Sequence, residues 1–147
     1  MNTIEVNYQN ISNLEITEQI ITYCEDVLKK LEISNWEISI LICDDLTIKD
    51  LNNKFRSKNI ATDVLSFNQD LVPVDDIIYA GDIVISIETV KLHSNTFSVT
   101  LNEELKRVLV HGILHLNGMN HTSNSKEEKM LQLQESILED ISGELIH

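Results

Sequence analysis

The chain has 147 residues, 42% of them hydrophobic and 24% charged, which suits one domain with its own core and not a disordered or low-complexity protein. Eleven basic residues against 24 acidic ones leave a net charge of −13, which argues against nucleic-acid binding through a broadly basic surface. One proline and four glycines leave no flexible linker, and no apolar run approaches the ~20 residues that cross a bilayer.

Met1–Val6 lacks the basic and apolar regions of a secretory signal, so a cytoplasmic location is expected. Ile4, Val6 and Tyr8 alternate with Glu5 and Asn7, the pattern of a half-buried strand. From Ile16 to Leu31 the apolar residues follow helical spacing. Trp36, Ile38, Ile40 and Ile42 alternate again as a second strand. Asp44-Asp45 can cap a helix from about Leu46 to Arg56. Asp63–Phe67 reads as a short strand, residues 69–79 as a loop around Pro73, and Gly81–Ser86 as a buried strand. Residues 87–97 read as a helix. Thr100-Leu101-Asn102-Glu103 is a capping box that opens another helix, and Ser125-Lys126-Glu127-Glu128 opens a last one. Cys24 and Cys43 sit in apolar segments and are read as buried free thiols of a reducing compartment. The predicted class is α+β: a small four-stranded mixed sheet packed with about five helices, over a single domain 1–147.

The helix that starts at Leu101 runs into His111-Gly112-Ile113-Leu114-His115-Leu116-Asn117-Gly118-Met119-Asn120-His121. His111 and His115 are one helical turn apart and share a face. Gly118 can take a positive φ and stop the helix, so the chain turns back and brings His121 to the same place. Three imidazoles around a tetrahedral zinc leave one position open for water, as in catalytic sites. A zincin-like motif is therefore expected at the end of the penultimate helix, with one zinc ion per chain held by His111, His115 and His121. In metalloproteases the residue after the first histidine is the glutamate that acts as general base. Here it is Gly112, so peptide hydrolysis by that route is not expected.

A phosphodiester suits such a site better, because a guanidinium can share its developing charge with the metal. Only Arg56 and Arg107 are available. Lys49, Lys54, Arg56 and Lys58 form a local cationic run on an acidic chain, although spacing alone reads Arg56 as a surface ion pair. Asp63 or Asp82 could orient a ligand histidine from behind, or serve only in turns and caps. His93 and His147 have no partner pattern and are read as surface residues.

The histidine segment resembles the signature of the YbeY family, the bacterial ribosomal RNA maturation factors. Asn53-Lys54-Phe55-Arg56 followed by Thr62-Asp63-Val64-Leu65-Ser66-Phe67, and then Gly81-Asp82-Ile83-Val84-Ile85, are similar to further segments of that family and occur in its order. The resemblance covers about residues 50–121. It implies a single-strand-specific, zinc-dependent metallo-endoribonuclease that matures the 3′ end of 16S ribosomal RNA and serves ribosome quality control. It implies single-stranded rRNA precursor and the small ribosomal subunit as partners, with no membrane. It implies zinc on His111, His115 and His121, and it makes Arg56 a catalytic or RNA-contacting residue. One position departs: the family usually has aspartate just before its last histidine, where this chain has Asn120. Asn120, like Asp82, is then a candidate for the shell behind the ligands. Two other readings stand beside this one: a non-catalytic, metal-stabilised ribosome-assembly factor, and a metal hydrolase of another substrate class.

Overall fold

A computed structural model of the chain describes residues 1–119 and 124–146. The elements run β1 (Thr3–Gln9), α1 (Thr17–Lys30), β2 (Trp36–Cys43), α2 (Asp45–Arg56), β3 (Val64–Asn68), β4 (Ile78–Ser86), α3 (Ile87–Thr96), α4 (Leu101–Leu116) and α5 (Asn124–Asp140). This is the expected order, in an α+β fold with one mixed sheet. The strands lie side by side as β1-β2-β4-β3, with β1, β2 and β4 parallel and β3 antiparallel to β4.

The alternation in β2 explains the layering. Trp36, Ile38, Ile40 and Ile42 point to one face, where they join Ile20, Cys24 and Leu28 of α1 and Leu105, Leu109 and Ile113 of α4 in the main core. The opposite face carries the intervening residues, among them Glu37 and Ser39. It is covered only at one end, where Ile48 of α2 packs with Cys43, Leu65 and Val84. The rest of this second face is left accessible, as antiparallel and mixed sheets permit.

Two caps fix the helices as the sequence implies. The Asp44 carboxylate accepts from the Thr47 backbone N–H at 3.0 Å, and the Thr100 hydroxyl accepts from the Glu103 N–H at 3.0 Å. α5 begins at Asn124, two residues before the capping box suggests. β4 starts at Ile78, inside the expected loop, because Ile78 and Tyr79 pair with Trp36 and Glu37.

A bulge in β4 has a larger consequence. Glu37 pairs with Tyr79 but Ile38 pairs with Gly81, so one extra residue enters the strand at Ala80. Gly81 has φ +136°, and a β-carbon there would collide with the Phe67 carbonyl. The extra residue inverts the alternation beyond it. Ile78, Ala80, Ile83 and Ile85 face the main core, and Tyr79, Asp82 and Val84 face the other side.

Candidate functional site

Helix α4 brings the first two histidines together. Its apolar stripe is buried against the sheet, and His111 and His115 lie half-buried at the margin of that stripe. Their Nε2 atoms stand 3.1 Å apart, and the rings meet edge to face with centroids 4.6 Å apart. Two nitrogens bound to one tetrahedral zinc at 2.0–2.1 Å stand about 3.3 Å apart. The separation is close to the one that a shared ion needs. The Nδ1 of His111 lies 2.9 Å from Oε1 of Gln134, a buried residue of α5. A glutamine oxygen only accepts, so Nδ1 carries the proton and the Nε2 lone pair is left to face the second histidine.

The helix ends as Gly118 requires. Gly118 has φ +86°, its N–H reaches the His115 carbonyl at 3.0 Å, and the Met119 N–H reaches the Leu114 carbonyl at 3.1 Å. These two bonds form a Schellman motif, which ends the helix at Gly118. His121 and Asn120 lie outside the described residues, so among the described residues the site has two of its three expected ligands and no group of three His, Cys, Asp or Glu side chains that could hold an ion.

Gly112 has a packing reason as well as a chemical one. A β-carbon on it would lie 2.9 Å from Cγ2 and 3.0 Å from Cδ1 of Ile83, which is itself fully buried. The glycine lets α4 approach β4 closely. A side chain at this position would have to push the Ile83 side chain aside, so the glycine serves packing as well as leaving out the protease base.

The edge strand β3 ties this helix to Arg56. The Ser66 hydroxyl donates to the Gly112 carbonyl at 3.4 Å, and the Asn68 side-chain amide donates to the His115 carbonyl at 2.5 Å. Both bonds brace the last turns of α4 against the sheet edge. From the other side, the exposed guanidinium of Arg56 donates to the Ser66 carbonyl at 2.5 Å and lies over the Phe67 ring, 5.5 Å from its centroid. Arg56 closes α2, followed by Ser57 in the left-handed region at φ 56°. Among the described residues it forms no ion pair of the kind expected from spacing. It stands one strand away from the histidines, beside a cavity of about 940 Å³ between α2 and the uncovered sheet face.

The other candidates are placed elsewhere. Asp82 is not behind the histidines. The bulge turns it to the opposite face, where its carboxylate accepts from the Tyr79 hydroxyl at 2.8 Å, and Gln134 holds His111 instead. Burial, with the neighbouring Asp82 contributing, raises the Tyr79 phenol above its ordinary range. Asp63 pairs with His93 at 3.4 Å, so His93 is a half-buried partner and not a free surface residue. Arg107 is taken by Glu135 at 2.5 Å and Glu104 at 3.7 Å. His147 lies outside the described residues.

Sequence reasoning did not assign roles to Gln134, Ser66 or Asn68. Gln134 carried a readable signal, since it is a polar residue four positions after Met130 on the buried stripe of α5.

Comparison with known proteins places the chain in a family. The family model described as Endoribonuclease YbeY matches residues 2–142. A protein of Treponema denticola named Endoribonuclease YbeY is 48% identical over 120 residues, covering 79% of this chain and 77% of the relative. One of the same name from Sulfurihydrogenibium is 38% identical over 146 residues, covering 98% of this chain and 95% of the relative. The solution structure of TM1509 from Thermotoga maritima superposes with a TM-score of 0.69 at 27% identity, covering 94% of this chain and 88% of that one.

Proposed function

This chain belongs to the YbeY endoribonuclease family, and on that premise we propose that it is a zinc-dependent, single-strand-specific endoribonuclease acting in ribosomal RNA maturation, at the 3′ end of 16S rRNA, and in ribosome quality control. As a member it is a hydrolase that acts on RNA. The observation that carries the finer reading is the pair of Nε2 atoms 3.1 Å apart on α4, one of them with its tautomer fixed by Gln134. In this reading residues 1–147 act as one domain, His111, His115 and His121 hold the ion, and Asn120 supports its ligands. Zinc is assigned because imidazole nitrogens suit it. When bound, it supplies Lewis acidity to the phosphodiester and lowers the pKa of water in the site.

The chain's own residues do the rest. Gln134 keeps the proton of His111 on Nδ1 and so keeps Nε2 available. Asn68 and Ser66 fix the last turns of α4 against the sheet edge, which holds both rings in place. Arg56 is exposed at that edge with donors to spare beyond its bond to the Ser66 carbonyl. It can pair with the scissile or the adjacent phosphate and offset charge gained in the transition state. With net charge −13 the molecule as a whole repels RNA, so binding depends on this local group and on the cation.

No described helix is long and apolar enough to cross a membrane. The small ribosomal subunit and its RNA precursor are the proposed partners, in the cytoplasm. The test is cleavage of single-stranded and double-stranded RNA by zinc-loaded protein, with His115→Ala and Arg56→Ala variants. Cleavage confined to the single strand, abolished by His115→Ala and reduced by about 10²–10³ in Arg56→Ala as for loss of one charge-stabilising donor, is expected. Undiminished cleavage by His115→Ala overturns the metal reading. Intact RNA with a fully loaded wild-type protein leaves the assembly-factor reading in its place.

A further inference from the structure

We infer that the cavity on the uncovered sheet face is a nucleobase pocket, which receives an unpaired base of the RNA whose phosphate lies at Arg56. The inference rests on the endoribonuclease reading above and adds to it a subsite and a base preference.

The cavity, about 940 Å³, lies between α2 and the sheet. Leu41, Leu51 and Val84 give it an apolar floor and wall. At its mouth Phe55, 60% exposed, meets Phe67 edge to face with centroids 5.5 Å apart. Arg56 lies over the Phe67 ring and Lys54 over the Phe55 ring at 5.3 Å. An exposed ring set edge to face on a half-buried one, with cations beside both, offers a stacking surface for bases along a single strand.

The charge inside the cavity decides which part of a nucleotide enters. Glu5 and Asp82 line it, and their carboxylates repel a phosphate. A neutral base is not repelled, while its phosphate is drawn to Arg56 at the rim. Asp82 further selects among bases. A carboxylate only accepts, and Asp82, which lines the cavity, takes one bond from Tyr79 and keeps its other oxygen and further lone pairs for a second donor. Guanine presents two adjacent donors, N1–H and the N2 amino group, along its pairing edge. Uracil presents one N–H between two carbonyls, which the carboxylate repels. The pocket thus favours an amino-bearing base, guanine best, over uracil.

The strand that forms the pocket wall also holds the catalytic helix. Phe67 faces the cavity, while Ser66 and Asn68 on either side of it bond to carbonyls of Gly112 and His115. A base in the pocket is therefore registered against the histidine pair by a single rigid strand. A base held in a duplex cannot leave its partner to enter, so the pocket itself rejects double-stranded RNA.

The test uses guanosine and uridine 5′-monophosphates, which have no internucleotide bond to cleave. They are titrated into the zinc-loaded, ¹⁵N-labelled protein while the amide resonances of Ser39, Phe67 and Asp82 are followed. Both nucleotides are expected to shift these amides, with guanosine monophosphate binding about tenfold tighter, as one good bidentate contact provides. Asp82→Asn should reduce that difference to within roughly twofold. Phe55→Ala, at an exposed position that the core does not use, should weaken both nucleotides about tenfold. Shifts confined to the surroundings of Arg56 and the histidines, equal binding of the two nucleotides, or unchanged binding by Phe55→Ala would each overturn the inference. Nucleotides bound in the cavity of a protein that cuts no RNA would instead remove the endoribonuclease mechanism and leave the pocket standing.

Discussion

Replacing Gln134 with leucine separates the role of the histidine pair in binding an ion from its role in the fold. The two side chains are similar in volume, and Gln134 is buried on the packed stripe of α5, so the apolar residue fits the same space. What is lost is the 2.9 Å bond to Nδ1 of His111. Without it the imidazole proton is free to sit on Nε2, and that tautomer must be given up before Nε2 can bind a cation. Loss of such an outer partner lowers metal affinity by about 10–100-fold, or roughly 1.4–2.7 kcal/mol. Competition against a chromophoric chelator measures the affinity, and thermal unfolding of the metal-free proteins checks the fold. Gln134→Glu supplies an acceptor again and should bind the ion at least as tightly as the wild type. If Gln134→Leu binds zinc as tightly as the wild type with an unchanged fold, Gln134 does not set the state of His111 and the description of the site is wrong at its centre.

Three further outcomes follow from the packing and the buried groups. Gly112→Ala gains ~1 kcal/mol of helix propensity but overpacks Ile83 at a cost of ~1–3 kcal/mol. A net loss of about 1 kcal/mol is expected, read as a lower midpoint in urea; a rise in the midpoint would show that the helix does not rest on Ile83. Burial raises the Glu104 carboxyl above its ordinary value of 4.5, with Arg107 opposing in part. A raised value favours folding fully below pH 4.5, and that contribution is lost as the pH climbs through the raised value. Glu104→Gln should therefore gain melting temperature relative to the wild type as the pH is raised from about 4.5 to 7; a constant gap across that range counts against the assignment. Burial pushes the thiols of Cys24 and Cys43 up to about 12. Neither should react with iodoacetamide near pH ~8 until the protein unfolds, and rapid labelling of the native state would contradict their placement.

Much of the fold was legible because local and global signals agree. The alternation in β2, the caps at Asp44 and Thr100 and the glycine after α4 each specify their element without help from elsewhere. The histidine pair was legible for the same reason, since helical spacing alone puts two rings on one face. Asp82 was not. Its direction depends on one extra residue opposite Glu37 and Ile38, and Gly81 marks that bulge only once the pairing partner is known. Gln134, Ser66 and Asn68 were hidden differently. Each bonds to α4 from an element distant in sequence, so no local pattern announces it. The cavity is formed by side chains of all four strands and of α2, which no single segment encodes. Asn120 and His121 carry part of the candidate site by sequence and lie outside the described residues.

The central claim is that three imidazoles hold one divalent cation and that RNA cleavage needs it. Equilibrium titration of zinc into metal-free wild-type protein and into the triple variant His111→Ala, His115→Ala, His121→Ala, with RNA cleavage followed in the same samples, tests it most directly. One zinc should bind tightly to each wild-type chain and none to the variant, with cleavage rising in step with occupancy. Equal zinc binding by the two proteins, or cleavage by the metal-free variant, would contradict it.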